Sequence, residues 1–352
     1  MRIGTMITYS GGFAETVAEV ADLERAGLDI IFMAEAYSFD AVSQLGYLAA
    51  KTTRVQLASG IFQIYTRTPP SLMAMTAAGL DYVSDGRFVL GIGASGPQVI
   101  EGFHGVPYNA PLGRTRELVD ICRQVWRREP VRHDGKYYQI PLPPPEKGTG
   151  LGKPLKIINH PIRERIPIVI AALGPKNVAL TAEIAEGWQP VFYNPERAND
   201  VWGGEALAKG KVARDPALGD LEIYASPPAL AIGDDVDHLL DLVKPTLALY
   251  IGGMGARGKN FYNDLACRYG YEADAKVIQD LYLDGKKDQA AAAVPDELVR
   301  AISLIGPEGY VRERVAAFAE SGATTLNVKF LAPPDSAGRI EQLEKLRAIV
   351  DA

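Results

Sequence analysis

Apolar positions along the chain follow two alternating rhythms. Residues 3–8, 28–34, 55–61 and 88–93 form short, nearly continuous apolar runs. Such runs predict strands buried on both faces, as in a parallel sheet. Between them the apolar residues recur three and four apart, the period of a helix with one buried face. Val17, Val20 and Leu23 share a face in the first such segment, and Gly27 follows as a natural stop. Leu72, Thr76, Leu80 and Val83 share a side in the third, which has proline near its first turn.

After the fourth strand comes a longer helix with a stripe of Leu118, Ile121, Cys122, Val125 and Trp126. The rhythm breaks over 130–166. Residues 131–138 predict a hairpin turning at Asp134-Gly135, followed by a Pro/Gly/Lys-rich loop over 141–154. It resumes with a fifth strand at 168–172 and a helix from Gly174-Pro175-Lys176 to Ala185. A sixth strand at 187–192 and a helix from Pro195 come next. A seventh strand lies within 221–232, interrupted by Pro227-Pro228. Residues 245–300 read as a mainly helical insertion, 323–331 as the eighth strand, and a last helix starts at Ser336. Eight strands alternating with helices predict an α/β chain folded as a (β/α)8 TIM barrel. The expected organisation is one domain, 1–352, with insertions at 130–166 and 245–300.

Gly91, Gly93 and Gly96 spell GxGxxG, the lettering of a dinucleotide turn. Here it follows the fourth strand rather than the first. The acid expected about 20 residues further on has Glu117 and Asp120 as nearest matches, and both fall inside the Leu118–Trp126 helix. The turn therefore reads as a barrel-strand end that forms an anion nest.

Composition narrows the classes. The chain is 47% hydrophobic and 23% charged with net charge −6, and it has no arginine-rich tract, so no nucleic-acid partner is expected. There is no apolar run of ~18 residues, hence no expected membrane span. The first residues enter a strand without a signal-peptide pattern, and two cysteines suit a reducing compartment, so a cytoplasmic location is expected. Cys122 is expected to be a buried thiol. The four histidines have no ligand spacing, and no metal site is expected. Neither a GxSxG elbow nor a P-loop lysine occurs.

In a barrel, chemistry sits where strands end. The loops there carry Tyr9-Ser10-Gly11-Gly12, Glu35-Ala36-Tyr37, Ser59-Gly60-Ile61 through Arg67-Thr68-Pro69, Gly93-Ala94-Ser95-Gly96, and Ala172-Leu173-Gly174-Pro175-Lys176. Two can form anion nests, one leading into a helix N-terminus. None pairs a nucleophile with a base, which favours a borrowed cofactor over covalent side-chain chemistry.

Ser59-Gly60-Ile61 with Tyr65-Thr66-Arg67-Thr68-Pro69, then Asp85-Gly86-Arg87-Phe88-Val89-Leu90-Gly91-Ile92-Gly93, then Gly174-Pro175-Lys176 through Gly187-Trp188, resemble the luciferase-like superfamily. The chain is most similar to the branch using the deazaflavin coenzyme F420, which includes methylenetetrahydromethanopterin reductase. That resemblance implies a bulge at Ser59, Gly60 and Ile61 behind the deazaflavin ring, a place where the family often has a non-proline cis peptide. It implies a cofactor tail held by Gly93, Ala94, Ser95 and Gly96 and by Leu173, Gly174, Pro175 and Lys176. Glu35 matches an acidic position near the ring, a candidate for acid–base work or for fixing a helix start. Tyr37 and Tyr9 are candidate hydrogen-bond donors at the mouth. The sugar-phosphate dehydrogenase branch has Asp-His where this chain has Glu35-Ala36, so its base is missing. Arg67 is a candidate partner for phosphate or for a carboxylate, and residues 252–261 for a cationic lip. The implied protein is a homodimeric F420-dependent oxidoreductase moving a hydride to or from a small molecule. An FMN-dependent monooxygenase of the same superfamily and a non-catalytic cofactor-binding protein stay open as alternatives. So do methylenetetrahydromethanopterin, a ketone, an alcohol and an activated alkene as substrates.

Overall fold

Strand β1 (Arg2–Ile7) pairs in parallel with both β2 (Ile30–Met33) and β8 (Thr325–Phe330), and this double pairing closes the sheet. The other staves are β3 (Gln56–Ser59), β4 (Phe88–Gly93), β5 (Ile168–Ala171), β6 (Gly187–Gln189) and β7 (Glu222–Ala225), in chain order around the ring. The expected eight-stranded barrel is present. The structure is a computed structural model and describes all residues except 8–11, 145–147, 227–228 and 332–334. Outside the ring lie α1 (Phe13–Arg25), α2 (Ala41–Lys51), α3 (Pro70–Val83), α4 (Pro111–Trp126) and α5 (Pro175–Ile184). α6 (Asn199–Leu207, running into Ala208–Val212), α7 (Glu308–Glu320) and α8 (Ser336–Val350) complete the layer.

The period of two in a strand explains the unbroken apolar runs. Ile30 and Phe32 join Ala58, Val89, Val169 and Tyr224 in one buried cluster inside the barrel. Their neighbours Ile31, Met33, Leu57, Phe88, Leu90, Ile168 and Ile170 join the larger cluster between sheet and helices. At the strand starts a polar network closes the barrel. Arg2 donates to Glu222 at 2.6 Å, to the Tyr224 hydroxyl at 2.9 Å and to Gln56 at 3.0 Å. Chemistry is thus confined to the opposite end.

Three details differ from the sequence reading. Residues 222–225 stay in the barrel, whereas Ala229–Ile232 leave it to pair with Leu304–Gly306 and the end of β8. Leu304–Gly306 has only three residues, too few to show a period. The hairpin pairs His133–Asp134 with Gln139–Ile140, so its loop is residues 135–138 rather than a two-residue Asp-Gly turn. The Glu117 carboxylate holds that loop open, accepting the N–H groups of Lys136 at 2.9 Å, Tyr137 at 3.1 Å and Tyr138 at 2.9 Å. The helical reading of 245–300 is met by Phe261–Arg268, Glu272–Leu283, Lys287–Ala292 and Asp296–Ala301.

Asp85-Gly86-Arg87 turns α3 into β4. Asp85 and Gly86 take positive φ, and Arg87 binds the carbonyls of Ala49, Thr52, Val55 and Ser84. Beside it Asp81 is fully buried and paired with Arg163, which also donates to the Phe88 carbonyl at 2.7 Å. Removing one member of a buried pair strands the other charge. Arg163→Ala should therefore cost about 3–5 kcal/mol in urea unfolding, and adding Asp81→Asn should recover part of that loss.

Candidate active site

The mouth is shaped by one irregularity in β3. Its ladder with β4 pairs Ala58 with Val89 and next pairs Phe62 with Ile92. The chain takes one more residue than its partner between those points, which makes a β-bulge over Ser59-Gly60-Ile61. The Ser59 hydroxyl stands in for the missing ladder bonds, accepting from Gly91 N–H at 2.9 Å and donating to Gly91 O at 2.7 Å. The Gly60–Ile61 peptide is cis. A Cβ on Gly91 would collide with the Ser59 carbonyl, and one on Gly93 with the Ile61 side chain. Gly91 is thus required by close backbone approach, and Gly93 leaves room for the Ile61 side chain.

Above the bulge lies a cavity of about 490 Å³. Its floor and walls include Ile61, Ala94, Ser95, Ala171, Ala172, Leu173, Gly174, Pro175 and Lys176. Seven expected residues therefore come together: Ile61, Ala94, Ser95, Leu173, Gly174, Pro175 and Lys176. Ser59, Gly60 and Gly93 support the floor from below. Gly96 caps the short helix Pro97–Ile100 and does not line the cavity. Tyr9 lies outside the described residues. Sequence reasoning missed Tyr108, Pro111, Leu112, Asn177, Gln189, Val191 and Tyr262, which complete the lining with Phe261. Gln189 carried a readable signal, because it is a polar residue at the end of a buried strand. Phe261 had been read only as the end of a cationic lip.

The loop between β5 and α5 is held from behind by tryptophans. The indole N–H of Trp188 donates to Ala172 O at 2.9 Å, and that of Trp202 to Leu173 O at 3.2 Å. Both rings are fully buried and meet edge to face at 5.1 Å. Their bonds take up the loop carbonyls. Gly174 then caps α5, whose first turn brings Lys176 to the rim with no carboxylate partner among the described residues. Helix N-termini favour anions. Two buried polar atoms beside the cavity also lack partners, Gln189 Oε1 and Asn177 Oδ1.

Glu35, Tyr37 and Arg67 do not line this cavity. Glu35 Oε2 accepts from the Ala41 N–H at 2.8 Å and from Arg67 at 2.7 Å, so it helps cap α2. Arg67 also pairs with Asp40, the N-cap of α2, and lies over the Phe62 ring at 4.1 Å. Of the two expected partners for Arg67, the carboxylate is the one observed. Burial pushes the Glu35 carboxyl above its ordinary value despite these contacts. In Asp40 burial acts the same way, but the Arg67 hydrogen bond and charge outweigh it and hold the carboxyl low. Tyr37 is mostly exposed, its ring 6.0 Å from Phe103. Arg257, read as a lip cation, instead pairs with Asp280 at 3.0 Å.

Residues 1–325 match the family described as luciferase-like monooxygenase. The chain belongs to that family. It is 42% identical over 358 residues, 99% of each chain, to a Mycobacterium tuberculosis protein that bears the name coenzyme F420-dependent oxidoreductase. It is 28% identical over 357 residues, 98% of each, to the 5,10-methylenetetrahydromethanopterin reductase of Archaeoglobus fulgidus. The solved F420-dependent tetrahydromethanopterin reductase of Methanopyrus kandleri superposes with a TM-score of 0.80 at 21% identity, covering 99% of this chain and 98% of that one. The barrel fold is thus shared with that structure. Among the described residues no helix is long and apolar enough to cross a membrane.

The raised Glu35 carboxyl has a measurable consequence. Native Glu35 holds its proton over a pH range where the unfolded chain has lost it, so stability falls as pH rises from the ordinary glutamate value to the raised one. Asp40 works oppositely: its contribution is present above the ordinary aspartate value and is lost as pH falls through the lowered one. Glu35→Gln should remove the first slope and keep the second, read from urea midpoints across the acidic range. An unchanged profile would show that Glu35 titrates normally.

Proposed function

We propose that the chain is an oxidoreductase that uses coenzyme F420 to move a hydride to or from a small organic molecule. The observation that carries this reading is the cavity itself. It joins an apolar, bulge-backed floor to a helix N-terminus with an unpaired lysine at the rim, and among the described residues it holds no nucleophile–base pair. The residues fit the coenzyme in two respects: the glycine positions keep the floor clear for a flat ring, and the rim suits an anionic tail. The 42% identity to a protein named for the same coenzyme supports the assignment.

In this arrangement Ile61, with Ser59 and Gly60 beneath it, backs the ring. Ala94, Ser95, Leu173, Gly174, Pro175 and Lys176 hold the tail. The coenzyme, when bound, supplies a carbon that accepts or releases hydride. Tyr108, Leu112 and Tyr262 give the reacting face an apolar and aromatic wall, and Tyr108 donates its hydroxyl to Ser95 O at 3.3 Å, fixing its ring. Glu35 and Arg67 act at one remove, anchoring the start of α2 beside the mouth; Tyr37 stands at the rim, where a substrate passes. The protein works in the cytoplasm.

Coenzyme F420 should bind the purified chain with a change in deazaflavin fluorescence, and FMN should bind far more weakly. Lys176→Glu should weaken the deazaflavin about tenfold while leaving the unfolding midpoint unchanged. Tight FMN binding with oxygen-dependent turnover would replace this reading by the monooxygenase one.

The protomer also pairs with a second copy of itself. Leu72, Met75, Tyr82 and Val83 are exposed along one side of α3, around the open Gly79, and Tyr47 is exposed on neighbouring α2. An exposed apolar side of a helix marks an interface, and a two-fold pairing buries it against itself. Sedimentation should give a dimer, and Met75→Glu should shift it to monomer with the fold retained by circular dichroism.

A further inference from the structure

We infer that residues 148–163 form an arm that clasps a second copy of this chain, laid across the end of the partner's α3. This rests on the α3 pairing proposed above and adds to it the second element of the same interface.

The arm contains no helix or strand. Leu151 is 85% exposed, Leu155 66%, Ile158 87% and Ile162 45%. Aliphatic residues scattered singly over a surface need no explanation, but four within one short segment do. Their backbone is tied to the protomer, so they are not free to fold inward. The Val131 N–H donates to Leu155 O at 3.0 Å, and Arg128 donates to Ile157 O and Ile158 O, each at 3.2 Å. Ile157 packs against the core and leaves Ile158 outside. Arg163 then pairs with Asp81 of α3, and a Cβ on Gly86, just past the end of that helix, would touch the Ile162 side chain at 3.7 Å. The arm thus ends beside the end of α3, at the strand starts and away from the mouth.

Area, position and charge select a second copy as the occupant. A stable pair buries about 800 Å² per partner, drawn from about 20 residues or more a side. One side of a 14-residue helix is too small for that, and the arm supplies the remainder. Leu72, Met75, Tyr82 and Val83 stand at helical spacing, so the exposed side of α3 leads to the end where the arm lies. Lys153 and Lys156 are exposed on the arm, Asp85 is exposed at the end of α3, and none of the three has an ion pair among the described residues. A two-fold operation carries each arm to the partner's α3 and sets lysine against aspartate twice. Pro154 and Pro161 restrict the arm before it binds, which lowers the entropy lost on docking.

The test uses the full chain. Unlabelled and isotope-labelled protein are mixed, allowed to exchange, joined by a zero-length carbodiimide and read by mass spectrometry. A link from Lys153 or Lys156 of one copy to the partner's Asp85 is expected between labelled and unlabelled peptides. Ile158→Asp and Leu155→Asp should each raise the dimer dissociation constant about tenfold or more, with circular dichroism unchanged. Lys156→Glu should raise it about threefold at low salt and less at high salt. A dimer that Met75→Glu dissociates but Ile158→Asp leaves intact, or links confined to single copies, overturns the arm and keeps the α3 interface. Binding to anionic phospholipid vesicles that Ile158→Asp abolishes, with the dimer unchanged, overturns it in favour of a membrane surface. A chain that stays monomeric at every concentration overturns both.

Discussion

The extra residue in β3 is the constraint on which the mouth of this barrel depends. A regular β3 would continue its ladder along β4 and leave the strand ends level. The bulge breaks that ladder, and the Ser59 hydroxyl repairs it by bonding both backbone groups of Gly91. The displaced chain then needs room, which Gly91 and Gly93 provide by lacking a Cβ. A serine, a glycine pair and a shift in register thus form one unit. Their joint effect is to raise Ile61 into the mouth as the floor of the cavity.

The opposite wall is set by different physics. Its loop carbonyls are bound by two buried indoles, so the backbone that borders the cavity cannot reorient without breaking hydrogen bonds inside an apolar core, where an unpaired polar group is expensive. Further down, α4 and α5 are tied by Arg116 and Glu183, paired through both nitrogens at 2.6 Å, and Arg123 reaches Glu186, just past the end of α5, at 3.1 Å. Floor and wall are each tied by hydrogen bonds within the chain itself. A preformed site spends less of its binding free energy on ordering. Deep tryptophan anchors lie behind the loop with the fewest side chains of its own.

The eight strands were legible because each is buried on both faces, which leaves continuous apolar runs that helices do not imitate. Leu304–Gly306 and the departure of Ala229–Ile232 from the barrel were not, since both depend on pairings between distant residues. At the site the legible part was backbone: glycines, a Gly-Pro helix start, and a serine at a strand end. The side chains that close the cavity were hidden. Phe261 and Tyr262 come from an excursion between β7 and β8, Tyr108 from the segment leading into α4 and Leu112 from its first turn. Nothing local in those stretches states which way they fold back over the strands. Gln189 was the exception, a polar residue where burial demands an apolar one.

Glu35 shows why an acid at a strand end is weak evidence for a base. Its carboxyl is raised by burial, the signature sought in catalytic acids. Yet its acceptor Oε2 is already engaged by the Ala41 N–H and by Arg67, and the cavity lies elsewhere. The same burial that raises the carboxyl is produced by packing Arg67 over Phe62 and closing the first turn of α2. Arg67 neutralises Asp40 as well, so one cation serves two capping carboxylates that would otherwise repel each other. A proton-transfer group needs an open path to the reacting atoms as well as a displaced carboxyl. Glu35 has the displacement, and its Oε2 is held by the Ala41 N–H and by Arg67 at the start of α2.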